Sequence, residues 1–179
     1  MQSRKIVFSA LAVLVIGVGW YLFRPERLWV NKAVNESLDQ PTARPAAVMP
    51  SDAGAGSATP NAPPSALLQG MFHSGAHETR GTATVYEVEG GKRVLRLTGF
   101  ETSNGPDVQV YLVAAPDAKD NATVTRAGFV RLGDLKGNQG DQNYELPDGV
   151  DLAKYRAVTI WCRRFGVNFG TAPLAPSHS

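Results

Sequence analysis

The chain predicts an all-β domain: an antiparallel β-sandwich or barrel, preceded by one membrane-spanning helix and a linker without regular structure. Three observations carry this. From Leu67 to Leu174 short runs rich in Val, Ile, Thr, Tyr and Phe recur about every ten residues, separated by Gly, Pro and Asx turns. Residues 6–23, IVFSALAVLVIGVGWYLF, carry no charge. Residues 40–66 hold so much Pro, Ala, Gly and Ser that they have no means of building a core.

The apolar stretch of 18 residues is long enough, at about 1.5 Å per residue, to cross a bilayer core of about 30 Å. Arg4 and Lys5 precede it, Arg24 follows, and Trp20 and Tyr21 stand at the interfacial position. The rival reading is a cleaved signal peptide with Gly17-Val18-Gly19 as the small-residue site. The run continues to Phe23 and exceeds an ordinary signal core, which favours an uncleaved anchor with the C-terminal domain outside the cytoplasm, periplasmic or at the cell surface. Residues 25–39 read as a short juxtamembrane helix, with Pro25 at its first position and Val30, Val34 and Leu38 recurring at four. Residues 40–66 read as a flexible tether that lets the domain range tens of ångströms from the membrane.

Within residues 67–174, TATVYEV (82–88) and KRVLRLTGF (92–100) form a hairpin about Glu89-Gly90-Gly91. DVQVYLVAA (107–115) is apolar on both faces, as a central strand should be. GFVRLGDLKG (128–137) is a strand entering a turn, GNQGDQN (137–143) a loop, NYELP (143–147) a short strand and VNF (167–169) the last one. RAVTIWC (156–162) puts Val158, Ile160 and Cys162 on one face and Ala157, Thr159 and Trp161 on the other. No convincing helix interrupts the pattern. Residues 175–179 are a polar tail.

Lys and Arg number 18 against 16 Asp and Glu, so no basic surface calls for nucleic acid. Cys162 is the single cysteine, which excludes an internal disulfide. No short enzyme or metal motif occurs and no nucleophile–base pair is visible, so independent enzymatic activity is not indicated. His73, His77 and Cys162 offer the residue types of a copper set, without the usual ligands following the cysteine. Asp107, Asp134 and Asp141 each follow Gly or Pro and read as turn formers rather than as a calcium loop. Asn35-Glu36-Ser37 and Asn121-Ala122-Thr123 are glycosylation sequons.

Cys162 itself admits two readings. It is a packed core thiol beside Val158 and Ile160, inert as most buried cysteines are. Or it lies at the sandwich rim where Arg164, one strand repeat further, favours a thiolate.

Four blocks stand in order: GMFHSGAHETRGTATV (70–85), LTGFETSNGPDVQVYLV (97–113), LGDLKGNQGDQNYELP (132–147) and VTIWCRRFGVNFGTAPL (158–174). Together they closely resemble the DM-thirteen family, the electron-transfer DM-thirteen domain. The resemblance implies an extracytoplasmic, β-rich domain, found in animal relatives beside haem-associated modules on cell-surface proteins. It also implies a redox role for the cysteine of the Trp-Cys pair, Cys162 here, as a bare thiol or as a ligand to a prosthetic group such as haem. Trp161, Phe165 and Phe169 are the aromatics available to line a haem slot. His77 and Asp107 stand at family-like motif positions, His77 as a low-ranked second cofactor contact. The expected partners are the membrane and a redox partner or cell-surface protein. The alternative is a non-catalytic binding or adhesion module with Cys162 in its core.

Overall fold

The computed structural model describes Leu14, Gly17, residues 30–38 and residues 64–177. Leu14 and Gly17 are helical; the rest of the apolar stretch 6–23 lies outside the described residues, among which no helix is long and apolar enough to cross a membrane.

The β unit consists of two sheets. Its strands are β1 (Ala33–Asn35), β2 (Ser65–Met71), β3 (His73–Ser74), β4 (Arg80–Glu87), β5 (Arg93–Glu101), β6 (Val108–Val113), β7 (Phe129–Asp134), β8 (Gln139–Glu145), β9 (Ala157–Cys162), β10 (Val167–Pro173) and β11 (Ala175–Pro176). The first sheet runs β1-β8-β5-β4-β2-β11 and the second β3-β10-β9-β6-β7. Pairing is antiparallel except between β1 and β8.

Period-two alternation builds the core. Leu95 and Leu97 of β5 point between the sheets and are fully buried. The register then slips at Thr98-Gly99, where Gly99 takes φ +55°, so that Phe100 also points inward although it lies three residues on. Val108, Val110 and Leu112 of β6 and Val158, Ile160 and Cys162 of β9 complete the inner layer. Each fully buried Leu, Ile or Val contributes about 1.5–3 kcal/mol by leaving water. The opposite faces of β6 and β9 carry Tyr111, Val113, Ala157 and Trp161, which pack with Val124 and Ala118 into a second, smaller cluster.

Val124 belongs to a helix, α1 (Asn121–Ala127), which corrects the expectation of no helix. Asp120 caps it by accepting from the Thr123 amide at 2.7 Å, and Gly128 ends it with φ +84°. The hairpin about Glu89–Gly91, a single 3₁₀ turn, forms where the glycine pair placed it.

Three other expectations are corrected. Of the helix expected over 25–39, residues 25–29 and 39 lie outside the described ones and Ala33–Asn35 is a strand: Val34 sits on β1, and Gln139 and Glu36 amides bond across to Lys32 and Asp141 carbonyls, so those backbone groups are used between segments instead of within a helix. The segment 139–143 is strand rather than loop. Its polar side chains are satisfied in place, as with fully buried Gln142, which donates to the Gly137 carbonyl at 2.7 Å and accepts from Tyr144 Oη at 2.9 Å. Ala175–Pro176 pairs with Gln69 and Leu68 instead of trailing as tail. Residues 39–63 lie outside the described ones; both flanks, Leu38 and Ser65, belong to the same compact unit.

Candidate functional site

β9 places the Trp-Cys pair at the centre of the second sheet, between β6 and β10. Strand alternation sends the two side chains to opposite sides. Cys162 enters the inter-sheet core at 0 % exposure, its register partners being Val108 and Val167. Trp161 enters the outer cluster beside Tyr111, with ring centroids 6.3 Å apart. Tyr111 in turn stacks on Phe129 at 4.2 Å and 5°, and Phe129 is 43 % exposed. Aromatic rings therefore run from the surface of β7 to the residue next to the sulfur. Burial raises the Tyr111 phenol above its ordinary value.

The strand ends at Cys162. Residues 163–166 form a turn, so Arg164 does not continue the face of Cys162 but is exposed on the turn, as is Phe165 at 67 %. Arg163 closes the strand end: its amide donates to the Asp107 carbonyl at 2.9 Å and its Nε to Asp107 Oδ2 at 2.8 Å. Gln109 adds a bond to Asp107 Oδ1, and its own Oε1 accepts from Arg131. The Arg163 hydrogen bond holds the Asp107 carboxyl below its ordinary value of 3.8, against the opposing effect of burial. A carboxyl depressed in the folded state adds stability above that ordinary value and loses it as pH falls through the depressed one. The Arg163→Ala protein is therefore expected to have a lower urea midpoint than the wild type near pH 6. The gap should close as the pH falls below 3.8; a constant gap would show that Asp107 is not the group involved.

The histidines do not converge on the sulfur. His77 lies over Phe169, with centroids 3.9 Å apart. His73 Nε2 is 2.8 Å from Asp117 Oδ1, a pair linking β3 to the loop before α1. Asp117, 44 residues away in sequence, is a partner that reading the chain did not supply. Asp107, Asp134 and Asp141 each face a separate arginine, Arg163, Arg131 and Arg96. Among the described residues no group of three His, Cys, Asp or Glu is placed to hold a metal ion.

A haem does not fit the residues around Cys162. Of the three aromatics available to line a slot, Trp161 packs in the outer cluster, Phe165 is exposed on the turn, and Phe169 packs in the core. Cys162 shares one closed core cluster with Val108, Ile160 and Phe169. Asn121, the second sequon's acceptor, opens α1 with its Oδ1 accepting from the Asn168 amide at 2.8 Å.

Fold and site together define a two-sheet β module that presents a buried cysteine beside an aromatic series. The chain belongs to the Electron transfer DM13 family, whose model matches residues 71–174. No curated protein and no solved structure matches the chain.

Proposed function

We propose that this chain is a membrane-anchored, extracytoplasmic accessory module of electron transfer. In this reading Cys162 gives one electron to an oxidising partner and its thiol proton to water when the core opens, and takes both back on reduction, rather than exchanging disulfides with other proteins. Membership of the electron-transfer family supports the redox role. The observation that carries its form is the placement of the Trp161-Cys162 pair, with the sulfur sealed and Trp161 in a ring series that ends at exposed Phe129. Anchoring rests on the uncharged run 6–23 and its flanking cations. The partner would be a one-electron donor or acceptor approaching the face of Phe129, Arg131 and Arg163, the aromatic and arginine types common in recognition surfaces.

A second reading has its own support. A cysteine at 0 % exposure among Val108, Ile160 and Phe169 is what a plain core residue looks like, and the domain would then be a surface recognition module.

Redox titration and thiol labelling of the detergent-solubilised full chain separate the two. Cys162 is expected to react with maleimide at least about a thousandfold more slowly in the folded protein than in urea, because access requires opening of the core. Labelling at the unfolded rate would overturn the sealed geometry. A reversible couple that vanishes in Cys162→Ala supports the redox reading. A titration identical in wild type and variant leaves the recognition module.

A further inference from the structure

The segment Asn31–Leu38 lies outside the family-matched residues 71–174, yet the domain carries a fitted seat for it. β8 would otherwise present an open edge, and β1 covers it in parallel register, Val34 opposite Gly140. Two glycines, one before β8 and one opposite the middle of β1, let a backbone come close. A methyl group on Gly137 would sit 2.3 Å from the Lys32 carbonyl oxygen, and one on Gly140 2.1 Å from that of Val34. Glycine is what lets these chains approach.

The seat also reads a side chain. The Glu36 carboxylate accepts from Lys136 Nζ at 2.8 Å on both oxygens and from the Asn143 amide at 2.7 Å. Arg96 donates to the Glu36 carbonyl at 2.8 Å, and the Asn143 side chain donates to the Ser37 carbonyl at 2.8 Å. Such charge-assisted bonds are stronger than neutral ones. The chain between Leu38 and Ser65 spans about 26 residues of Pro/Ala/Gly/Ser-rich composition, too long to dictate a register. The register is therefore set by the seat.

We propose that the β8 edge is a peptide-binding site for an extended segment with a carboxylate two residues beyond a valine. Its occupant is this chain's own residues 31–38, held reversibly and without need of the covalent connection. The inference is independent of redox activity and of anchoring.

The test uses the full chain with an N-terminal affinity tag and a specific protease site inserted within residues 45–58. After cleavage, the C-terminal fragment should stay with the tagged fragment. Excess synthetic peptide of residues 31–38 should release it, and a Glu36→Gln peptide should need more than ten times the concentration. Gly137→Ala, whose methyl meets the strap at Lys32 and Val34, should lower retention at least tenfold. If that variant fails to fold by circular dichroism, the peptide arms decide alone. Loss of the fragment on cleavage, or no release by millimolar peptide, overturns the proposal. Carbodiimide coupling of Glu36 to Lys136 in the uncut protein should give a product within one chain. A product joining two chains would make the occupant a second copy and overturn the assignment.

Discussion

Replacing Phe100 by alanine is expected to lower the melting temperature by roughly 10–20 °C, from a cost of about 3–5 kcal/mol. Phe100 is 1 % exposed and meets Phe72 edge-on, with centroids 5.4 Å apart at 62°. The deletion forfeits the ring's burial, the aromatic pair and its share of the inter-sheet filling. The walls have little freedom to collapse into the gap. Gly81, φ +114°, lies so close under β5 that a methyl there would come within 2.8 Å of the Phe100 Cα. Since a domain of this size is stable by about 5–15 kcal/mol, a large part of the total would go. Calorimetry of wild type and variant checks it; a shift of only a few degrees would mean that the bulge at Gly99 does not drive Phe100 inward.

The second large effect is expected at Gly70. This residue of β2 faces β10, a strand of the other sheet, and a methyl added there would lie 2.0 Å from the Pro173 carbonyl oxygen and 2.8 Å from its carbon. Both obstacles are backbone, so no rotamer relieves them. The two sheets would have to part locally, at a cost of about 3 kcal/mol or more, against a gain of at most about 1 kcal/mol from a stiffer unfolded chain. Gly70→Ala should therefore shift the urea midpoint strongly, while Gly90→Ala, which meets no atom and carries only the strain of an alanine at φ +77°, about 1–2 kcal/mol, should shift it less. Equal midpoints for the two variants would refute the close approach of β2 and β10.

Much of the sandwich was legible because period-two patterning survives wherever one face differs from the other. The faces of β9 and of β5 up to Leu97 follow directly from Val158, Ile160 and Cys162 and from Leu95 and Leu97. β8 was not legible. Gln139, Gly140, Asp141, Gln142 and Asn143 look like a turn, and only the partners they find far along the chain make them a strand. β1 was misread for a related reason: Val30, Val34 and Leu38 match a helical period, but Gly137 and Gly140, a hundred residues on, provide a better place for an extended backbone. The glycines in that supposed loop were the available signal. α1 also left one, in Asp120 before the helix and Gly128 after it, overlooked because Asn121–Ala127 is poor in strong helix formers.

For the site, the face that Cys162 occupies was readable and its enclosure was not. Whether a strand's last residue is covered depends on what lies across from it, here Val108 and Val167. The aromatic neighbours of Trp161 were equally hidden, since Tyr111 and Phe129 come from two other strands.

The seating of Ala33–Asn35 on β8 changes what the proline-rich run accomplishes. A stretch that departs from a folded body at Leu38 and rejoins it at Ser65 sets no standoff, whatever its length. The run thus joins two points of one folded body, and its length can vary without changing where Asn31 enters the fold.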